Sequence, residues 1–323
     1  MRNRMIRNII LLFLIVTFSA GVVRANIVGD FNNDGKVNIF DVIALLKIIS
    51  GRQPAGDVGK SYVLADQDSS QPGGQLPTDV IQGITLVNIS SDSFLMGAAS
   101  FMMGNMFMHS GPMHSVVLDG FWMGSTEITQ GQYRTVMGFD PAIFTGSDSL
   151  PVKGVSWLDA IAFCNRLSDA AGFETSYDLA TGAVDYTKNG FRLPTEAEWE
   201  FAARAGTRTM FYTGDSESDM MRAGWYFSNS EGVTHPVGEK EANAWGLYDM
   251  LGNVAEWCYD WFGDNYYASS PGQNPPGPST GQNRVVRGGS WNDLSSYCAS
   301  ASRYSLAPDS TSRTVGFRVV RRP

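Results

Sequence analysis

Three short stretches constrain the fold of this chain more than its composition does. Thr129 with Gln132, Ser156 with Asp159, and Thr195 with Glu198 each set a hydroxyl three residues ahead of a side chain that can reach back to the cap's own N–H. That reciprocal arrangement starts a helix. The first such helix is expected to stop at Gly138, the second carries Trp157, Ile161, Cys164 and Leu167 on one face, and the third follows Pro194. Between them lie alternating, glycine-punctuated pieces such as Ile84-Thr-Leu86-Val-Asn-Ile89 and Phe94-Leu-Met96-Gly97, which read as strands and turns. Short capped helices scattered among many strand-like pieces predict an irregular α+β domain, and 35 glycines, 8 tryptophans and 12 tyrosines favour loops and aromatic packing over long helices.

The first 83 residues follow other rules. Arg2, Arg4 and Arg7, an apolar run from Ile9 to Phe18 and the small-residue exit Val23-Arg24-Ala25 have the build of a secretory signal peptide over residues 1–25. A secreted, extracellular or cell-surface protein is therefore expected. No later stretch approaches the roughly 20 apolar residues of a membrane helix, so no membrane span is expected. Loss of Arg2, Arg4, Arg7 and Arg24 leaves 20 of the 24 Lys and Arg against 32 Asp and Glu, a formal charge of −12. Such a surface repels nucleic acid and attracts cations. With only Cys164, Cys258 and Cys298, the chain is no disulfide-dense scaffold, and one thiol must lack an internal partner.

Asp30, Asn32, Asp34, Asn38 and Asp41 stand at positions 1, 3, 5, 9 and 12 of a loop in which Gly35 takes the tight-turn position and Lys36 offers its carbonyl. This spacing wraps hard oxygens around one point, as calcium requires. The helix expected at Val42–Ile49 follows directly, and Asp41 replaces the usual terminal Glu. In these features residues 26–83 resemble a dockerin. A second repeat is degenerate: Asp66, Asp68 and Ser70 are plausible ligands, but Pro72-Gly-Gly74 intervenes before Asp79-Val-Ile, which echoes Asp41-Val-Ile. Two readings stand: calcium folds the module, or the module also docks to a cohesin-like partner.

Further on, Phe121-Trp-Met-Gly-Ser-Thr-Glu127-Ile-Thr129, Phe191-Arg-Leu-Pro-Thr-Glu-Ala-Glu-Trp199-Glu-Phe-Ala-Ala-Arg204, Asn243-Ala-Trp-Gly-Leu-Tyr-Asp249-Met-Leu-Gly-Asn253-Val-Ala-Glu256-Trp257, Arg287-Gly-Gly-Ser-Trp291 and Gly316-Phe-Arg318 follow one another. In these motifs and their order, residues 84–323 resemble the formylglycine-generating enzyme (sulfatase-modifying factor) family. The resemblance implies a C-type-lectin-like core of low regular secondary structure. The family's oxidases turn a sulfatase cysteine into formylglycine with copper(I) held by two cysteines. Here Cys298 fills the second cysteine position, but Asp293 fills the first. A hard carboxylate suits soft copper(I) poorly, so copper is not expected; were the chain an oxidase, Cys298 and Ser290 would be its catalytic residues. Alternatively Cys298 forms a structural disulfide, with Cys258 the favoured partner, while Cys164 reads as a buried thiol. The resemblance also implies a structural calcium site with side-chain oxygens from Asp249 and Glu256 and carbonyls from Gly252 and Val254. The family's other calcium loop does not align around Trp225 to Val237.

Between Trp291 and Gly316, Asp293, Leu294, Ser296, Tyr297, Ser302, Tyr304, Leu306, Ser310, Ser312 and Thr314 form a series of small polar and tyrosyl side chains framed by rigid motifs. Tyrosine offers large contact area at low entropic cost and serine fills around it, the chemistry of an adaptable binding face. The segment also resembles that of variable proteins of diversity-generating retroelements, in which mutagenesis at adenines turns Asn codons into Ser, Asp, Tyr, Thr and Leu. An ordinary solvated loop is the alternative. The Met- and His-rich run Phe101 to His114 has soft ligands suited to copper(I), but methionine is more often gap-filling. His109, His114 and His235 show no metal-hydrolase spacing, and phosphate loops, dinucleotide fingerprints and nucleophile elbows are missing from the sequence. The function expected is a secreted, calcium-dependent binding protein with a protein or glycan ligand. The alternatives are a formylglycine-generating oxidase and a dockerin-borne component of an extracellular complex.

Overall fold

The computed structural model describes residues 78–81, 83–98, 110–139 and 146–323. The signal segment, the loop 30–41 and the run 101–109 lie outside them. In chain order the strands are β1 (Thr78–Ile81), β2 (Ile84–Ile89), β3 (Asp92–Met96), β4 (His114–Leu118), β5 (Phe121–Gly124), β6 (Tyr177–Asp178), β7 (Ala183–Val184), β8 (Phe191–Arg192), β9 (Ala255–Trp261), β10 (Arg284–Arg287), β11 (Arg303–Leu306), β12 (Val315–Gly316) and β13 (Val320–Arg321). The helices are α1 (Gln130–Met137), α2 (Trp157–Ala171), α3 (Glu196–Arg204) and α4 (Glu217–Ala223).

Each expected capping box is formed in full: Thr129, Ser156 and Thr195 accept from the backbone N–H three residues on, and Gln132, Asp159 and Glu198 return the bond. Gly138 ends α1 in the left-handed conformation, where a Cβ would be strained. The sequence reading passed over a fourth box, Ser216 with Asp219, which starts α4.

An antiparallel sheet in the order β1-β2-β5-β13-β8 ties the first described strand to the last. Because β13 sits between β5 and β8, the domain closes only when its C-terminal residues are in place. A second sheet in the order β11-β10-β9-β12 carries the loops of interest; its β12 runs parallel to β9. This mixed helix and sheet architecture matches the α+β expectation. The boundary needs correction, however: residues 78–81 pair with β2 as a strand, so the stretch echoing a second dockerin helix belongs to the domain's own sheet.

Two buried clusters fill the interior. One centres on Trp199, Phe201 and Phe121, the other on Trp157, Phe163, Tyr133 and Phe317, with the Tyr133 and Phe163 rings stacked at 5.4 Å. The face of α2 predicted to be apolar is buried in the second cluster, Cys164 included. Helix α3 is unusual in being buried all round, charges included. Its carboxylates are matched by guanidinium groups from four other places in the chain or helix. Arg192 holds Glu198 through two contacts of 2.6 Å, and Arg303 holds Glu196 at 2.6 and 2.7 Å. Glu200 takes Arg204, Arg287 and the Gly97 N–H. Buried charge survives only when paired this fully. The expected disulfide is absent: Cys164, Cys258 and Cys298 are all buried free thiols, Cys258 on β9 and Cys298 in a short 3-10 turn.

Candidate functional site

The segment 290–314 is mounted on buried Arg287 at the end of β10. Its guanidinium donates to the carbonyls of Ser302 at 2.6 Å and Ser300 at 3.0 Å while pairing with Glu200, so the segment is bolted to α3. Gly289 lets the chain pass over Cys298: it has φ +68°, and a Cβ there would lie 2.7 Å from the Cys298 sulfur. Ser290 donates its hydroxyl to Asp293 at 2.6 Å. Asp293 therefore turns inward to a hydroxyl at the position where the resembling oxidases carry their first cysteine.

Cys298 has no solvent exposure, and burial first, then the Asp293 carboxylate, push its thiol well above the usual range. A protonated, sealed thiol beside a hydrogen-bonded carboxylate is the wrong donor set for copper(I), which binds thiolate.

The face itself is mixed. Leu294 is 52% exposed, whereas Asp293, Ser296, Tyr297, Tyr304, Leu306, Ser310, Ser312 and Thr314 are half-buried. Tyr304 donates to the Tyr297 carbonyl at 3.0 Å, and their rings lie 6.0 Å apart. Ser302 is the exception: at 2% exposure it lies beneath the face, with its carbonyl spent on Arg287 and its hydroxyl on Ser296. It stands just before β11, next to buried Arg303. One contributor escaped the sequence reading. The Phe227 N–H donates to the Asp293 carbonyl at 2.9 Å, which places this 61%-exposed ring next to the segment. A lone Phe in a loop gives no periodic signal, so pattern reading had no means of finding it.

The turn 249–256 runs alongside, joined by the Gly252 N–H to the Gly288 carbonyl at 2.9 Å. Asp249 and Asn253 both take positive φ, 53° and 54°, and a Cβ on Gly252 would lie 2.3 Å from the Trp225 carbonyl oxygen. Such strain concentrates at sites where the backbone must aim its oxygens. Three buried carboxylates lie at this turn. Glu256 is committed to Arg318 at 2.7 Å twice over and to the Trp199 indole at 2.8 Å. Glu127 accepts from the Val254 N–H at 3.0 Å and from the Asn253 amide at 3.1 Å. Asp249 accepts from the Gly238 N–H at 2.6 Å through one oxygen, and its other oxygen is buried without a hydrogen-bond partner among the described residues.

Burial pushes the Asp249 carboxyl up to about 6, and burial together with Asp249 and Glu256 raises Glu127 well above the usual range. Asp249 keeps one orphaned oxygen, but among the described residues these acids do not come together as a cluster of three that could hold a metal ion, so Asp249 alone offers an open ligand atom here. The oxygens of Glu256 are already held. Glu127 stands in the motif Phe121–Thr129, where nothing in the local spacing marks it as a partner of the turn 249–256.

Elsewhere a cleft of about 230 Å³ is lined by Asp119, Tyr186, Arg192 and Glu198, among others. Much of its charge is self-paired: Arg192 with Glu198, and Asp119 with Arg322 at 3.8 Å, while Asn274 also donates to Asp119. No helix among the described residues is long and apolar enough to cross a membrane.

Comparison with known proteins places this geometry. The sulfatase-modifying factor enzyme 1-like domain matches residues 77–323. The chaperone protein LppX of Paenibacillus barcinonensis is 30% identical over 250 residues, covering 65% of this chain and 84% of that protein. The formylglycine-generating enzyme of Streptomyces coelicolor is 39% identical over 191 residues, 54% of this chain, which thereby spans about half (53%) of that enzyme. Among solved structures, Treponema denticola variable protein 1 superposes with a TM-score of 0.69 at 36% identity, covering 76% of this chain and 99% of that one. PvdO from Pseudomonas aeruginosa, at 23% identity and a TM-score of 0.65, shares the fold.

Proposed function

This chain belongs to the sulfatase-modifying factor enzyme 1-like domain family, and on that premise we propose that it is a secreted, calcium-dependent ligand-binding protein whose contact surface is the segment 293–314. The observation that carries this reading is the inward-turned Asp293, hydrogen-bonded to Ser290 beside the sealed thiol of Cys298. One member of the oxidase donor pair gives way to a carboxylate held in a structural contact, while the residues above it present tyrosyl, hydroxyl and aliphatic groups on a rigid mount.

Binding follows from the division of labour. Arg287, Gly289 and the Ser290–Asp293 bond fix the backbone, so the exposed side chains can change without moving their frame. Tyr297 and Tyr304 supply flat contact area, and Phe227 extends it from a neighbouring loop. Calcium at Asp249, with carbonyls from Gly252 and Val254, would neutralise the buried acids and stiffen the turn beneath this surface. Calcium at Asp30, Asn32, Asp34, Lys36, Asn38 and Asp41 would fold the N-terminal module, leaving it free to attach to a cohesin-like partner. The names of two similar proteins support the reading: one is called a chaperone and the other a variable protein.

The DNA around the coding sequence tests it. A near-repeat of the 3′ coding end with Asn codons at these positions, beside a reverse transcriptase, is the expected finding. A neighbouring sulfatase gene carrying Cys-x-Pro-x-Arg, with no such repeat, would favour the oxidase.

A further inference from the structure

At one edge of the 293–314 segment two cations lie together without an acid between them. The Lys153 ammonium is half-buried, and its one hydrogen bond among the described residues goes to the neutral hydroxyl of Thr234 at 2.9 Å. The Gly154 N–H, one residue on, bonds the carbonyls of Ser312 at 2.9 Å and Val315 at 3.2 Å, which joins the backbone at Lys153 to that around Arg313 and leaves the two charges close enough to repel. Arg313 is exposed, with its guanidinium 5.4 Å from the Trp291 ring, while its own carbonyl accepts from the Trp291 indole at 3.4 Å. Ser312 and Thr314 share one hydrogen bond of 2.8 Å, so their two hydroxyls retain one proton to donate. Among the described residues neither cation has a carboxylate within ion-pairing distance.

In a chain with 32 acidic against 24 basic side chains, Arg166, Arg284 and Lys240 also lack an acid partner among the described residues, but each donates to a backbone carbonyl, which Lys153 does not. Arg192, Arg204, Arg222, Arg287, Arg303 and Arg318 all have carboxylate partners. Burial, and then the like charge of Arg313, lower the proton affinity of Lys153. A half-buried ammonium facing a second cation is unfavourable unless a negative group joins them.

We propose that Lys153 and Arg313, with the Ser312–Thr314 hydroxyl pair, form a subsite for an oxyanion of the ligand, a carboxylate or a sulfate. Arg313 supplies a planar fork, Lys153 a point charge from below, and the hydroxyl pair a third donor, with the Trp291 indole flooring the site. This cationic donor set excludes a cationic partner group. The inference rests on the binding-face reading but adds what that reading lacks, the charge of the ligand at a defined edge.

Sulfate and acetate are the probes, titrated by calorimetry into the mature chain at constant ionic strength. Saturable one-to-one binding of one of them is expected, tighter sulfate pointing to a sulfated ligand and tighter acetate to a carboxylated one. Each charged hydrogen bond lost should weaken it about tenfold in Arg313→Gln and in Lys153→Met. Arg313 is exposed, so its substitution leaves the fold intact, and an unchanged unfolding temperature verifies this. No saturable binding of either anion, or an affinity unchanged from the wild type in both variants, would overturn the proposal, the latter indicating an adventitious ion only. Neither result touches the oxidase question, which the aldehyde assay below decides separately.

Discussion

Arg287 couples the binding segment to the core, and its replacement by methionine should be costly in a way the structure quantifies. The substitution keeps most of the hydrocarbon and removes a guanidinium that satisfies three buried acceptors: one Glu200 oxygen and the carbonyls of Ser300 and Ser302. Breaking a buried pair on one side costs about 3–5 kcal/mol because the surviving charge stays out of water. Glu200 keeps Arg204 and the Gly97 N–H, which argues for the lower end, about 3 kcal/mol, with the orphaned carbonyls included. For a domain of this size that corresponds to a fall in Tm of about 6–12 °C. Thermal unfolding followed by circular dichroism reads it. Lys188→Met, which breaks the exposed Lys188–Glu174 pair, should change stability by less than about 0.5 kcal/mol and serves as the comparison. Arg287→Lys should not rescue, since one ammonium cannot reach acceptors arranged for a fork. An Arg287→Met protein melting within about 2 °C of the wild type would refute the claim that this network mounts the face.

Asp249, whose carboxyl is raised to about 6 from its ordinary 3.8, holds more proton when folded than unfolded between those values. In EDTA, stability should therefore rise as pH falls from 7 toward 5, while in calcium the rise should vanish because the metal holds the ionised form. Asp249→Asn should abolish that difference; identical slopes with and without calcium would count against a cation there. Gly252→Ala puts a Cβ against the Trp225 carbonyl at positive φ and should cost more than about 2 kcal/mol in denaturant titration. All three cysteines should resist iodoacetamide in the native state and take three labels once unfolded without reductant; a single label would restore the Cys258–Cys298 disulfide.

Much of the frame was legible because it rests on local chemistry. A hydroxyl three residues before an acid or amide needs only its own turn to act, so the capping boxes at Thr129, Ser156 and Thr195 formed as read. Helix α3 misleads for the opposite reason: Glu196, Glu198, Glu200 and Arg204 would place its polar face in water, and besides nearby Arg192 it takes the distant Arg287 and Arg303 to permit their burial. The strand β1 was hidden because Asp79-Val-Ile repeats an earlier helical phrase, and pairing with β2 overrides that local likeness. At the site, the replacement of a cysteine by Asp293 was visible in the sequence, but its partner Ser290 and the burial of Ser302 and Cys298 were not. Those depend on how β10 and β11 set the loop between them. Lys153 and Arg313 lie 160 positions apart, and their meeting could not be read from spacing at all.

The most direct test of the central claim is peptide oxidation. The purified mature chain, loaded with copper(I), is incubated with a peptide containing Cys-x-Pro-x-Arg, alongside a working family oxidase, and mass spectrometry follows conversion of the cysteine to the aldehyde. The account predicts unmodified cysteine, because Asp293 is held by Ser290 and Cys298 is sealed as a thiol. Aldehyde that forms with the wild type and disappears in Cys298→Ser would contradict it and make this chain an oxidase with a different copper site.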